Sequence, residues 1–573
     1  MEKVNFGMSM KNIPTASKRT YLNMTIQAAD KFIKNLEWRT FFYLNPSDTP
    51  NLKENFGFKS LRAPPTTPEL KPFRDGLLHL IQNIEFSTIS NPFLNNLKNE
   101  VKKIEKCNKL IIPADKTSNH YKMAPQKYQE LLEKNIQKEY KKVSMATINK
   151  VNTSHKEVVR KLDIQDRVFA TTPRQAYATL KDHKDNFSNN PSCRLINPAK
   201  PEIGRISKKI LEKINLRVRQ ATRHTQWRNS AEVIQWFKLL KNKPTLKFLI
   251  FDICNFYPSI TPELLEKALN FASLHVNIST EERETIMEAR KCFLFHKDNP
   301  WAKQKNSKFD VTMGAWDGAE CCELVGLYLL DKLKALKIQA GLYRDDGLSV
   351  SNATPRQLEG IKKQICSIFK DEGLAITIEA NKKEVNFLDV TLDLRDGLYK
   401  PFIKPNDNPE YVHKMSNHPP SITKNLPAGI NKRLSSISAN EEIFKKATPV
   451  YQDALAKSGY DYQLNFEPPL PPSQSSNKKK CRKRRITWFN PPFSCNVTTN
   501  IGAKFLRLVD HHFPKGHPLH PLINRNTIKI SYRCLPNLGK VIAKHNSKLM
   551  NEADVQSDQQ NLQDLQPVQN LQN

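Results

Sequence analysis

Tyr343-Arg344-Asp345-Asp346-Gly347, set between short apolar runs, decides the reading of this chain. Two adjacent carboxylates at the tip of an expected hairpin repel, and each raises the other's pKa. A fold keeps such a pair when it stays solvated or when a cation neutralises it, and hard divalent cations such as Mg²⁺ favour carboxylate oxygen. Asp-Asp-Gly alone is also a common turn. The metal reading therefore needs a third acid.

Leu246-Lys247-Phe248-Leu249-Ile250-Phe251-Asp252 supplies one. It reads as a buried strand ending in a single carboxylate. Thr261-Pro262-Glu263 then has the pattern of an N-cap followed by an N1 proline, with Leu264, Leu265 and Leu269 on the inner side of the helix. A strand-end Asp plus an Asp-Asp hairpin is the carboxylate set of two-metal phosphoryl transfer.

The bulk composition agrees. The chain has 573 residues, with 90 Lys+Arg against 57 Asp+Glu, a formal charge of +33. Such an excess favours a polyanion, nucleic acid first and an anionic membrane second. Ten cysteines include no Cys-x-x-Cys pair, which argues against a zinc ribbon or a secreted disulfide framework. No stretch is apolar enough to span a membrane and the N-terminus lacks a signal-peptide core, so the expectation is a soluble protein of a reducing compartment.

Residues 1–150 read as a basic, helical extension containing one apolar strand that ends in Asp115-Lys116. From 151 to 400 the order strand, helix (262–272), helix (319–335), hairpin, helix and strand predicts an α+β palm, one antiparallel sheet backed by helices. In the helix after the hairpin Leu358, Ile361, Ile365 and Phe369 share a face and Gly373 is the stop. Residues 401–466 are mixed and partly helical. A Pro/Lys/Arg-rich linker (467–486) contains the basic run 478–485, readable as a nuclear address, a phosphate-binding strip or a solvated linker. A basic module (487–550) holds His511, His512, His517, His520, Cys495 and Cys534, but no ligand pair has zinc-finger spacing. The segment 551–573 reads as a disordered tail.

Upstream of Asp252, Lys181 and Lys184 are separated by a polar turn from Arg194. The pattern predicts a hairpin able to lie over a triphosphate, with Arg suited to bidentate contact; an ordinary surface hairpin fits the composition too. Tyr257 follows Asp252 at the strand-to-helix turn, placed either to sit under a sugar or in the core. Gly314 and Gly318 bracket Trp316 and Asp317 before a helix, where glycine permits close backbone approach.

Taken in order, these segments resemble the reverse transcriptases of Penelope-like retroelements, which are related to telomerase. The resemblance spans about residues 105–545 and rests on PSCRLINPAKPEIGRISKKI (191–210), FDICNFYPSI (251–260), YRDDGL (343–348), VNFLDVTL (385–392) and YVHKMSNHPPSITKNLP (411–427). It implies a right-hand polymerase fold: fingers and palm at 151–400 and thumb at 401–466. It implies an RNA-directed DNA polymerase taking an RNA template, a DNA primer and dNTPs, nuclear as well as cytoplasmic. Asp252, Asp345 and Asp346, with the Ile253 carbonyl, would hold two Mg²⁺ ions, for which Mn²⁺ can substitute. Lys181 and Arg194 would bind dNTP phosphates, Tyr257 would exclude a ribose 2′-hydroxyl, and Gly318 would lie by the nascent base pair. Lys383 (or Lys382) would protonate the departing pyrophosphate. Arg344, Lys184 and Lys200 would contact nucleic acid.

The sequence departs from the family pattern in places. Asp317 stands where many members have Gln, and Glu320 and Glu323 replace small residues and Pro. An acid so near a dNTP is costly unless paired. Many members carry a GIY-YIG nuclease; no such motif occurs in these residues, so the expectation is either a truncated chain or one that uses existing 3′ ends. The alternatives are a catalytically decayed RNA-binding protein on a polymerase fold, and an RNA-dependent RNA polymerase, against which Tyr257 argues.

Overall fold

The apolar run before Asp252 forms the strand Lys247–Ile253. The computed structural model describes residues 1–46, 62–89, 91–165, 174–182, 187, 191–304, 308–404, 409–468 and 486–564, with side chains to 552. Across the central sheet the strands run Ile376–Lys382, Lys247–Ile253, Asp346–Ser351, Gln339–Tyr343 and Thr225–Gln226. Neighbours are antiparallel except the last pair, which is parallel.

The central strand lacks polar alternation because both of its faces are covered. Leu249 and Phe251 join a core with the helices Ile203–Thr222, Pro262–Ser273, Gly318–Lys334 and Pro355–Asp371. Phe248 faces a second core containing Trp227, Phe237, Leu348 and a small sheet of Glu384–Phe387, Val390–Asp393 and Tyr399–Pro401. Local signals set the helix starts. The Thr261 side chain accepts from the Leu264 N–H, Thr354 and Gln357 form a capping box, and Gly373 follows the fourth helix with φ +73°. This antiparallel sheet backed by helices is the α+β arrangement expected from sequence.

Packing crosses the boundary drawn at 150. The strands Leu110–Pro113 and His120–Met123 and the helix Pro125–Glu139 share a core with the hairpin Tyr177–Leu180/Cys193–Ile196 and with Leu294 and Trp301. The two ends of the chain also meet. Phe32, Leu36, Phe73 and Leu77 pack with Phe489, Phe505, Val509 and Phe513, so the N-terminal extension and the C-terminal module build one core. The helices Pro420–Ser436 and Glu441–Lys457 form a separate cluster around Leu434, Phe444 and Leu455.

The last helix, Leu538–Asp564, anchors Leu538 and Ile542 against Leu94, Leu97 and Ile104. It runs on through the first part of the segment read as a tail, since an anchored helix adds one hydrogen bond per further residue. The basic run 478–485 and residues 565–573 lie outside the described residues. No described helix is long and apolar enough to cross a membrane.

Candidate active site

Strand register brings the three acids together. Asp346 pairs directly with Asp252 across adjacent antiparallel strands, and Asp345 precedes it in the two-residue turn after Tyr343. The Ile253 N–H donates to the Asp345 carbonyl at 3.0 Å, which ties the turn to the Asp252 strand. Arg344 occupies the left-handed region at φ 55°, an uncommon conformation for a bulky side chain. Gly347 is needed for close packing: a Cβ there would lie 2.1 Å from the Phe251 ring.

Burial, then the neighbouring charges of Asp345 and Asp252, push the Asp346 carboxyl up to about 6. Lys116 and Lys404 pull it the other way. Among the described residues no group of three or more His, Cys, Asp or Glu is arranged as a metal site. Mg²⁺ does not require three such groups, since it is commonly held by one or two carboxylates with water and substrate phosphate. The hard oxygen donors and their mutual repulsion fit such an ion.

Asp252, Ile253 and Asp345 line a cavity of about 550 Å³. Its other walls carry Tyr257, Lys181, Arg194 and Lys116. Lys181 and Arg194 arrive on the expected hairpin, where Arg194 pairs opposite Thr179 and the Lys181 N–H donates to the Ser192 carbonyl. The Arg194 guanidinium lies 3.3 Å from the Asp115 carboxylate and 3.8 Å from the Met313 sulfur. Tyr257 is buried, which pushes its hydroxyl pKa up, and its ring would lie 3.5 Å from a Cβ on Gly318. Gly318 and Gly314 also admit the protein's own backbone, because Cβ atoms there would meet the Thr312 and Asn197 carbonyl oxygens at 2.3 and 2.0 Å.

Other expected residues lie elsewhere. The Lys383 ammonium donates to the Pro244 and Leu246 carbonyls at 2.6 and 2.7 Å. Lys382 pairs with Phe248, four residues from Asp252 and so roughly 13 Å down the strand. Neither lysine is placed to protonate a pyrophosphate at the acids. Lys200 sits 4.8 Å over the Trp316 ring rather than on the cavity wall. Arg344 is exposed at the turn, 5.7 Å from the Tyr343 ring centroid. Lys184 lies outside the described residues.

Two of the three acids Asp317, Glu320 and Glu323 have ion-pair partners. Asp317 is fully buried in an ion pair with Arg290, itself buried. Glu320 pairs with Lys208 at 2.9 Å. Burial and the nearby Glu320 push the Glu323 carboxyl pKa up.

Sequence reasoning missed Lys116, Lys404 and Arg290. The strand ending in Asp115-Lys116 was a visible signal for the first. A lysine beyond the small sheet and an arginine 27 residues before its acid carry none.

No protein-family model matches this chain, and no curated protein does. Among solved structures, telomerase from Candida albicans, in complex with a TWJ fragment of telomeric RNA, shares 13% identity over 68% of this chain and 74% of that one, at a TM-score of 0.42. Apo telomerase from Candida tropicalis shares 11% over 77% and 85%, at 0.39. The RNA-dependent RNA polymerase of a human picobirnavirus shares 10% over 72% and 89%, at 0.36.

Proposed function

We propose that this chain is an RNA-directed DNA polymerase of the Penelope-like retroelement type, adding nucleotides from dNTPs to a DNA primer 3′-hydroxyl on an RNA template. One observation supports this reading above the others. Asp252 and Asp345 line a cavity whose other walls carry Lys116, Lys181 and Arg194, and Asp346 pairs with Asp252 across the adjacent strand. Acids on one side and cations on the other is the charge layout a nucleoside triphosphate requires.

Asp252, Asp345, Asp346 and the Ile253 carbonyl are the residues to hold two Mg²⁺ ions. Bound there, the ions would acidify the primer hydroxyl and neutralise the leaving pyrophosphate. The chain's own groups do the rest. Arg194, Lys181 and Lys116 bind and orient the phosphates. Tyr257, held rigid by burial against the Gly318 backbone, blocks the space a ribose 2′-hydroxyl would occupy. The net charge of +33 favours a gripped polyanion, and an A-form hybrid is held through its phosphates and 2′-hydroxyls.

The test is primer extension on poly(rA)/oligo(dT) with Mg²⁺ and dTTP, comparing wild type with Asp345→Asn/Asp346→Asn. The proposal expects extension by wild type only. Equal inactivity of both with strong RNA binding would favour the decayed RNA-binding protein, and ribonucleotide incorporation without dNTP preference would favour an RNA polymerase.

A further inference from the structure

Lys116 reaches the cavity from an irregular loop, residues 114–119, between the paired strands Leu110–Pro113 and His120–Met123. Three sets of contacts determine where that loop lies. The Ala114 N–H donates to the Asn119 carbonyl at 2.9 Å and closes it. The Asp115 N–H donates to the Leu180 carbonyl at 2.7 Å and docks it on the neighbouring hairpin. Two residues beyond Leu180, the Asp182 carboxylate then collects side chains of the loop and of the strand after it on a single oxygen. Its Oδ2 accepts from the Thr117 hydroxyl at 2.7 Å, the Asn119 amide at 2.8 Å and the Tyr121 hydroxyl at 3.1 Å.

Three donors on one carboxylate oxygen are more than an ordinary turn needs. Hydrogen bonds to an ionised acceptor are stronger than neutral ones, and all three are partly shielded from water. Asp182 is not among the residues lining the cavity, whereas its neighbour Lys181 and the loop's Lys116 both are. Lysine is a flexible point charge whose reach depends on where its backbone is held. The loop is fixed on either side of that backbone, before it by the Asp115 N–H on the Leu180 carbonyl and after it by the Thr117 hydroxyl on the Asp182 carboxylate.

Resting on the polymerase reading, we propose that Asp182 is a positioning residue for nucleotide binding: it holds the 114–119 loop so that Lys116 meets the triphosphate. It acts through Lys116 and touches no substrate itself.

The test uses the full-length chain in primer extension with dTTP, reading KM and kcat, with primer–template Kd measured separately. Asp182→Ala should raise KM for dTTP about tenfold, the effect of losing roughly one charged hydrogen bond. Primer–template Kd should not change. Asp182→Asn, which keeps an acceptor oxygen, should recover part of the loss. It serves as the test variant if the alanine protein does not fold. In a Lys116→Ala background the Asp182→Ala penalty should shrink to about twofold or less, because the two residues act as one unit. An unchanged KM in both Asp182 variants, or a full tenfold penalty on top of Lys116→Ala, overturns the inference while leaving the polymerase reading intact. If wild type extends no primer, Mg²⁺-dependent dTTP binding supplies the readout. Binding that weakens in Asp182→Ala supports the inference with the polymerase reading lost, and no binding by wild type overturns both.

Discussion

Asp252 and Asp346 face each other as direct partners on adjacent antiparallel strands, with Asp345 one residue away in the turn. The sheet's own hydrogen-bond register therefore forces like charges together. Replacing either acid with Asn should abolish primer extension, by about 10³-fold or more, without unfolding the chain. Single-turnover extension beside circular dichroism checks both halves of that statement.

The raised Asp346 pKa has a stability consequence in chelator. A carboxylate whose folded pKa lies above its unfolded one binds more protons in the native state. Stability from this group then falls as pH rises from about 4 to about 6, and stays low above that. Asp346→Asn removes the effect, so at pH 7 in EDTA it should stabilise the protein by up to about 3 kcal/mol and flatten that part of the pH profile. Thermal melts from pH 4 to 8 measure it; a lower melting temperature for the variant at pH 7 would contradict the electrostatic account.

Tyr257→Ala should open the space under the sugar. Discrimination between dTTP and UTP should drop about 100-fold or more, mainly through a gain in UTP use, while dTTP incorporation persists. Competing-substrate extension assays report the ratio.

The Arg290–Asp317 pair makes a folding prediction. Arg290→Met or Asp317→Leu alone leaves one buried charged partner stranded and should cost about 3–5 kcal/mol. Arg290→Met combined with Asp317→Leu should recover most of that loss. Urea titrations of the four proteins form the cycle, and additive single effects would mean the pair is not coupled.

Lys383→Ala should leave kcat unchanged, since its ammonium is bonded to the Pro244 and Leu246 carbonyls rather than aimed at the acids. A large drop in kcat together with a changed solvent isotope effect would restore the general-acid role expected from sequence.

Much of the architecture was legible because its signals are local. Thr261-Pro262-Glu263 announces a capped helix, and the helix begins at Pro262. The run ending at Asp252 announces a strand covered on both faces, and both cores are present. The turn's glycine was legible in identity but not in purpose. Gly347 lies in the strand and is small because the Phe251 ring crosses it.

The sequence by itself singled out the candidate residues: the acids at a strand end and a turn, the basic hairpin, and the aromatic after the first acid. Those patterns depend on neighbours a few residues apart. Tertiary structure alone decided which charges answer one another. It set Lys116 and Lys404 against Asp346, buried Arg290 on Asp317, gathered Thr117, Asn119 and Tyr121 on Asp182, and carried Lys383 away from the acids. Coulomb energy and hydrogen bonding depend on distance through space, and strand register and helix packing fix that distance between residues far apart in the chain.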